Sequence, residues 1–285
     1  MKNHKIIFAL VIHFFVMTAS YGFQKANTTT LSDLKILTWN IQDLGRSKNN
    51  QEIQFIATIL KDYDLIALQE IVAKDPAGVK AVARIAEALN RLGSKWDYSI
   101  SNATNSSSSY AAERYAYLWK TSKIRLKHKA FLDTELASKI EREPYIALFE
   151  LKKNKTTFHT INMHARTYNK HPEMEISNFK KYPERLKSNN IIILGDFNLN
   201  EEHSVWNPLY KMGFKSAIKN TKTSMKRKCN KGKYMYKAID NIFYNSKNIE
   251  KINSGIIDFI KNCENLLKAR LISDHVPVYL EIKMN

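Results

Sequence analysis

Residues 190–200, NIIILGDFNLN, place four branched apolar residues directly before a glycine, an aspartate and an asparagine. Such a continuous apolar run is typical of a strand covered on both faces, as in folds built from stacked layers. Charge is costly in these surroundings unless it is paired or bound to a metal. Asp196 therefore either begins an exposed turn or serves a site, and the ends of the other strands bear on that choice.

Strand-like and helix-like segments alternate along the chain, without a dividing linker rich in proline, glycine or serine. Strand patterns recur from LKILTWNI (34–41) to VPVYLEI (276–282). Apolar residues at helical spacing predict helices in 51–63, 77–93 and 173–188, with Pro183 as a kink or boundary in the last. The simplest organisation is one mixed α/β domain at 34–285, with sheets buried between helical layers.

Residues 1–22 have a lysine-bearing start, a short apolar stretch and small residues near Gly22. This pattern is typical of a secretory signal peptide, and an uncleaved anchor is the alternative. Residues 23–33 would be a polar leader. We therefore expect cleavage near Gly22 and a secreted or periplasmic protein.

The chain is strongly basic, with a formal charge of +18, of which the first 22 residues contribute only Lys2 and Lys5. Positive charge favours polyphosphates, anionic membranes or acidic glycans as partners, although a lysine-rich proteome would produce the same composition. No acid occurs between Glu202 and Asp240, where residues 215–237 combine lysines with tyrosines. This basic tract suits a phosphate backbone, and equally a solvated loop.

Two cysteines, Cys229 and Cys263, are present. An exported protein permits a disulfide between them, but sequence does not show whether they come close enough. Neither lies in a metal-binding or redox spacing, so cysteine chemistry is not the expected function.

Polar residues recur where the apolar strand segments stop. They are Asn40, Glu70, His164, Asp196 with Asn198, Asp240, and Asp274 with His275. Carboxylate and amide oxygens suit Mg²⁺, Mn²⁺ or Ca²⁺ rather than zinc. Histidines titrate near neutrality and move protons. Together with the basic surface, this set indicates hydrolysis of a phosphate ester, with a metal that neutralises charge on the phosphoryl oxygens.

These residues resemble the endonuclease/exonuclease/phosphatase superfamily, and within it the pancreatic-type deoxyribonucleases. The matching stretches are TWNI, LIALQE, SYAAERYAYLWK, EREPYIALFE, INMHA, LGDFN, AIDNIFY and SDHVPV, in the family's order from Leu34 to Ile282. The resemblance implies a four-layer α/β sandwich, in which two mixed β-sheets pack face to face with helices outside. It places the site at strand ends along one edge.

The resemblance also implies a role for each matching residue. Glu70 would be the principal metal ligand, with Asn40, Asp196, Asn198 and Asp274 completing the metal and phosphate site. Asp196 would also belong to the catalytic set. His164 and His275 would be the acid–base pair, and a carboxylate, Glu113 or Asp240, would hold each histidine.

Two further matches concern substrate. Arg142 corresponds to a phosphate-binding arginine, and Tyr110 corresponds approximately to a tyrosine that packs on the DNA minor groove. Gln42 and Val72 depart from the family, because they replace arginines that reach into that groove. The basic tract would compensate by binding phosphates.

The sequence therefore predicts an exported endonuclease that hydrolyses DNA phosphodiester bonds by a two-histidine mechanism. Mg²⁺ is the expected cofactor, Mn²⁺ an alternative and Ca²⁺ a possible activator. DNA is the expected partner of a monomeric enzyme. The alternatives are a sphingomyelin- or phosphoinositide-type phosphodiesterase of the same superfamily, or a non-catalytic nucleic-acid binder.

Overall fold

The computed structural model describes residues 32–284 of the chain. The expected signal peptide, and all of the expected leader except Ser32 and Asp33, lie outside the described residues. Across residues 32–284, no helix combines the length and the apolar character needed to cross a membrane.

Fifteen strands and six α-helices lie within the described residues. The strands are β1 (Leu34–Leu44), β2 (Leu65–Val72), β3 (Trp96–Ile100), β4 (Glu113–Lys120), β5 (Ile124–Leu126), β6 (Phe131–Leu132), β7 (Tyr145–Leu151), β8 (Thr157–His164), β9 (Ile191–Asp196), β10 (Phe214–Ser216), β11 (Met225–Asn230), β12 (Lys233–Met235), β13 (Asp240–Asn245), β14 (Ile249–Ile256) and β15 (Val278–Met284). The helices are α1 (Asn50–Leu60), α2 (Ala77–Arg91), α3 (Pro172–Ile176), α4 (Tyr182–Arg185), α5 (Asn207–Lys211) and α6 (Leu266–Ile272).

Two mixed sheets carry most of these strands. The first sheet has the order β14-β15-β1-β2-β4-β3, and the second has the order β10-β13-β9-β8-β7-β5, with β6 also pairing β7. One parallel pair lies inside each sheet, β1 with β2 and β8 with β9. Strands β11 and β12 form a separate two-stranded hairpin.

The apolar run before Asp196 is buried on both faces, as its composition predicts. Ile192 and Leu194 pack between the sheets, while Ile191 and Ile193 pack with Trp206 on the outer side of the second sheet. Helices α1 and α2 cover the outer face of the first sheet in the same way. The order is helix, sheet, sheet, helix, which confirms the predicted four-layer α/β sandwich.

The helix predicted at 173–188, with a kink or boundary at Pro183, is confirmed only in part, because the segment is divided into three short helical pieces. Helix α3 is followed by a 3₁₀ turn at Phe179–Lys181 and then by α4. The Asn178 side chain donates to the carbonyls of Met174 and Glu175, 3.1 Å away in each case, and so ends α3. Pro183 lies in the first turn of α4, where its missing N–H costs nothing, so it marks the predicted boundary.

The basic tract contains the β11–β12 hairpin rather than a continuous loop. Its turn uses left-handed backbone at Lys231 (φ 49°) and Gly232 (φ 76°). Cys229 of the hairpin is joined by a disulfide to Cys263, with a Cα–Cα distance of 5.6 Å. The pairing that the sequence leaves open is therefore present, and it anchors the hairpin to the segment before α6.

Candidate active site

Strand register brings three of the predicted site residues side by side in the second sheet. His164 of β8 is aligned with Asp196 of β9, and Asp196 is aligned with Asp240 of β13. Each residue stands at an end of its strand. Three chain segments far apart in sequence thus deliver a histidine and two carboxylates to one row at the sheet edge.

In the first sheet, Asn40 and Glu70 lie within strands, not at strand ends as expected. The β1–β2 register shifts between Asn40 and Leu44, and the β2–β4 register shifts between Leu68 and Ile71. Such bulges redirect a side chain without ending the strand. Glu70 has a left-handed backbone, with φ 59°. This conformation costs a residue of its type on the order of 1–3 kcal/mol and is typical of functional positions.

Asn40 links the two sheets at this edge. Its Nδ2 donates to Oε1 of Glu70 at 2.9 Å and to Oδ2 of Asp196 at 3.2 Å. Residues from β1, β2 and β9 therefore meet at one place, and Asn40 itself is fully buried.

The first histidine–carboxylate pair joins His164 to Glu113 across the sheets. Nδ1 of His164 donates to Oε2 of Glu113 at 2.8 Å, which leaves Nε2 directed at Asp196. Burial lowers the pKa of His164, but the charge and hydrogen bond of Glu113, together with the Asp196 carboxylate, raise the pKa to about 9. Burial alone would raise the pKa of Glu113, whereas His164 and Arg142 hold it below its ordinary value.

The second pair joins His275, in the turn before β15, to Asp240 of β13. Nδ1 of His275 donates to Oδ2 of Asp240, also at 2.8 Å. Burial lowers the pKa of His275, but the carboxylates of Asp240 and Asp196 raise it well above its ordinary value. Both imidazoles therefore have a fixed orientation and a stabilised cationic form.

Both histidines direct Nε2 at the same oxygen of Asp196. The distances to Oδ2 are 3.5 Å from His164 and 3.8 Å from His275. Burial, and the neighbouring Asp240, raise the pKa of Asp196. Two imidazoles and one carboxylate thus surround a single point at the edge of the sandwich.

The residues around Asn40 fit a hard divalent cation. Burial raises the pKa of Glu70, so its carboxylate lacks sufficient compensation from the described residues. Oδ1 of Asn40 is buried without a hydrogen-bond partner among them. An unpartnered amide oxygen beside poorly compensated carboxylates is the donor set that Mg²⁺, Mn²⁺ or Ca²⁺ prefers.

A second group, Asp196, Asp240 and His275, also has its possible ligand atoms within 4.8 Å of one another. In that group, Nδ1 of His275 and Oδ2 of Asp240 already bond each other, whereas Oδ1 of Asn40 has no hydrogen-bond partner among residues 32–284.

Two other predicted metal ligands lie nearby, with different partners. Oδ1 of Asp274 is 3.9 Å from Nε2 of His275, and Oδ2 of Asp274 is 3.8 Å from Arg270. Asn198 has a left-handed backbone, with φ 51°. Its Nδ2 donates to the carbonyl of Ala165 at 3.1 Å. In the described part of the chain, neither side chain forms a hydrogen bond with Asn40 or Glu70.

The predicted substrate residues differ in how they are held. Arg142 lies 3.2 Å from Oε2 of Glu113 through Nε, and its Nη1 contacts the carbonyl of His164. Its Nη2 has no hydrogen-bond partner within residues 32–284 and remains available to a phosphate. Tyr110 is 88% exposed, and Nζ of Lys74 lies 3.2 Å from its ring centroid.

Two hydroxyl residues that were not among the predicted site residues hold the second pair. Ser273 is fully buried, donates to the carbonyl of Asn40 at 2.7 Å, and accepts from the N–H of His275 at 3.0 Å. Thr223 is also fully buried and accepts from the N–H of Asp240 at 3.0 Å. Ser273 stands within the SDH motif and could have been found there, whereas Thr223 lies in the basic tract without a local signal.

A polar layer beneath the site was also missed. Nε2 of Gln69 donates to Oδ1 of Asn162 at 2.6 Å and to Oγ1 of Thr38 at 3.0 Å. Each of these residues stands one or two positions before a site residue in its strand. Their spacing from the motifs is the signal that could have located them.

Residues 37–275 match the endonuclease/exonuclease/phosphatase family, so the chain belongs to that family. Curated relatives include a deoxyribonuclease from Thioalkalivibrio, 25% identical over 188 residues, which are 63% of this chain and 50% of that protein. Deoxyribonuclease-1 of Gallus gallus is 26% identical over 174 residues, 58% of this chain and 60% of that protein. The chain thus spans between half and three fifths of these relatives.

Solved structures share the fold at low identity. An endonuclease/exonuclease/phosphatase structure from Bacteroides vulgatus is 14% identical, with a TM-score of 0.64, covering 88% of this chain and 99% of that one. A mannosyl-6-phosphatase from Bacteroides thetaiotaomicron is 15% identical, with a TM-score of 0.61, covering 88% and 100%. Because one fold serves such different proteins, substrate has to be argued from the site.

Proposed function

We propose that this protein is an exported, divalent-metal-dependent endonuclease that hydrolyses DNA phosphodiester bonds. The observation that carries the proposal is the convergence of both histidine Nε2 atoms on Oδ2 of Asp196. That arrangement puts two imidazoles, each with Nδ1 already hydrogen-bonded and Nε2 available for proton transfer, around the point where a phosphate would bind beside Asp196.

The chain's own residues supply positioning and proton transfer. One histidine takes the proton of the attacking water, and the other gives a proton to the leaving oxygen. Glu113 and Asp240 keep each Nδ1 protonated, so that Nε2 is the reacting atom. Arg142 holds a non-bridging phosphate oxygen through Nη2.

Asn40, Glu70, Asp196, Asn198 and Asp274 would hold the cation. A bound Mg²⁺ would neutralise charge on the phosphoryl oxygens and on the crowded carboxylates. Asp196 would thereby serve both the cation and the orientation of the two imidazoles.

Charge supports DNA as the substrate. The acid-free hairpin stands beside the second pair, because Ser224 forms a bridge with His275 and the N–H of Met225 donates to the carbonyl of Asp274 at 2.7 Å. Positive side chains beside a phosphodiester site attract a polyanion. The names of the curated relatives point the same way.

Plasmid relaxation by the chain from Phe23 onward tests the proposal. Parallel reactions contain Mg²⁺, Mg²⁺ with Ca²⁺, or a chelator, and are run with the unmodified protein, with His164→Ala and with His128→Ala. His128 is exposed and is not part of the site, so it is a matched control. We expect nicking that needs the metal and His164 but not His128.

Absence of nicking with every metal, while circular dichroism shows a folded protein, would contradict the nuclease assignment. Sphingomyelin and phosphoinositides would then be the next substrates to assay. Failure on those as well would favour the binding role.

A further inference from the structure

Two exposed tyrosines beside the site share one lysine. Nζ of Lys237 lies 5.6 Å from the ring centroid of Tyr168 and 5.1 Å from that of Tyr236. Tyr168 is 65% exposed and Tyr236 is 54% exposed. Among residues 32–284, no carboxylate oxygen lies within 4 Å of this ammonium, so its charge is available to a ligand.

The two rings stand on the segments that carry the two histidine–carboxylate pairs. Tyr168 lies four residues after His164, and Tyr236 lies four residues before Asp240. These segments are far apart in sequence but meet at Lys237. The cluster therefore borders the site on the edge of the second sheet, where His164, Asp196 and Asp240 form a row.

Hydrogen bonds to the backbone and side chain of Ser224 hold the Tyr236–Lys237 segment in place. The N–H of Tyr236 donates to the carbonyl of Ser224 at 2.7 Å, and the N–H of Lys237 donates to Oγ of Ser224 at 3.1 Å. Ser224 in turn bridges His275. The position of the lysine and of one ring is thus coupled to the position of a proposed catalytic histidine.

Exposed aromatic faces next to a free cation suit a nucleobase with its phosphate. Aromatic side chains stack on bases of any sequence, and a nearby cation contacts the backbone. In an intact duplex each base already stacks on its neighbours, so its face is not available to a side chain. An unpaired base, unlike a base inside a duplex, can present that face.

We propose that Tyr168, Lys237 and Tyr236 form a subsite that stacks an unpaired nucleobase beside the scissile phosphate. The protein therefore prefers single-stranded or locally unpaired DNA over intact duplex. This inference rests on the proposed function for its substrate, but the subsite is a binding property that can be measured without cleavage.

The test measures fluorescence anisotropy with the full mature chain carrying His164→Ala, so that DNA is bound without turnover. The probes are one labelled single strand and the blunt duplex of the same sequence. Tyr168→Ala and Tyr236→Ala should each weaken single-strand binding by about 5- to 150-fold. Duplex binding should change by less than about twofold, because the rings do not stack on paired bases.

Matched variants separate stacking from other effects. Tyr168→Phe and Tyr236→Phe keep the ring and should retain single-strand binding, which shows that the hydroxyl is not needed. Tyr98→Ala removes an exposed tyrosine of β3 outside this cluster and should leave both affinities unchanged.

Equal weakening on single strand and duplex, or no weakening on either, would overturn the subsite. Cleavage of the same two probes by the unmodified protein separates this inference from the proposed function. Failure to cut either probe, with the expected anisotropy pattern intact, would reject the nuclease and keep the subsite. Cutting of both probes, with unchanged anisotropy in the alanine variants, would reject the subsite and keep the nuclease.

Discussion

The two histidine–carboxylate pairs join the two sheets in opposite directions, because the sheet that supplies the histidine in one pair supplies the carboxylate in the other. His164 belongs to the second sheet and its carboxylate, Glu113, to the first, whereas Asp240 belongs to the second sheet and His275 leads into β15 of the first. Each pair thus ties the sheets together at the same edge. This opposed arrangement explains how both Nε2 atoms reach the one oxygen of Asp196.

The pairs differ in the charges around them. Glu113 also contacts Arg142, whose positive charge limits the rise in the pKa of His164. His275 faces the carboxylates of Asp240, Asp196 and Asp274, which together raise its pKa. The two hydrogen bonds have the same length of 2.8 Å, but different neighbouring charges set the pKa of each histidine.

Removing either imidazole should have the largest effect on activity. We expect His164→Ala and His275→Ala each to lower kcat by ~10²–10⁴-fold, the usual effect of a missing general acid or base. DNA binding should persist in both variants. Single-turnover cleavage beside anisotropy measures this, with His128→Ala as the control. Retained cleavage in one variant would remove that histidine from the acid–base pair.

Replacing the carboxylate of each pair by an amide should lower the stability of the protein by different amounts for the two pairs. Both Glu113→Gln and Asp240→Asn should lower kcat by ~10–10²-fold, because the imidazoles lose orientation. Glu113→Gln should also lower Tm, because it leaves Arg142 partly buried without its ion pair. Asp240→Asn should lower Tm less, since it relieves the repulsion with Asp196. Equal decreases in Tm, measured in chelator, would contradict this contrast.

The basic hairpin lies beside the second pair, through Ser224 and Met225. The salt dependence of DNA binding tests whether the hairpin contacts phosphates. Changing the exposed Arg227, Lys228 and Lys231 to Gln should weaken duplex binding and reduce the slope of log K against log salt. The reduction should be about 0.9 for each DNA phosphate that the variant no longer neutralises.

Exposed lysines on the helical side of the first sheet provide the control for the hairpin. The triple variant of Lys61, Lys80 and Lys95 to Gln makes the same change in charge. Identical slopes in the two triple variants would return the hairpin to a solvent-facing role.

The smallest expected effect is the change of Tm with pH, measured in the presence of a chelator. His164 binds its proton more tightly when folded, since its pKa is about 9 against an ordinary 6.5. Its contribution is therefore complete below about pH 6.5 and is lost as the pH rises through about 9. Tm should fall over that interval, by about 2–4 °C for each kcal/mol of stability that disappears.

The Arg142→Met variant tests whether His164 is the group responsible, because Arg142 lowers the pKa of His164. Its removal should move the fall in Tm to higher pH. A profile that keeps its midpoint in Arg142→Met would show that the arginine does not control this proton.

Much of the fold was predictable from local patterns. The run Ile191–Leu194 has apolar side chains on both faces, and it does lie between a sheet and a helical layer. Helix α2 was predictable from its apolar spacing, and it ends just before the left-handed Gly93. The break within 173–188 was not predictable from apolar spacing. The Asn178 side chain ends α3 by hydrogen-bonding to two of its carbonyls, and apolar spacing does not reveal such bonds.

In the candidate site, too, some features were predictable from the sequence and others were not. The residue types and the order of their motifs already indicated a metal, two histidines and a phosphate ester. The bulge that turns Glu70, the disulfide that anchors the hairpin, and the approach of Lys237 to Tyr168 have no local signal. Each depends on segments that are distant in the chain and adjacent only after folding.

The sequence by itself determined the layered fold and the chemistry available to the chain, because burial periodicity and side-chain type are local properties. Only the tertiary structure decided which groups act together. Register across the second sheet aligned His164, Asp196 and Asp240, and the packing of the two sheets brought Asn40 and Glu70 to them. Distances between side chains arise from long-range packing, which no segment specifies alone.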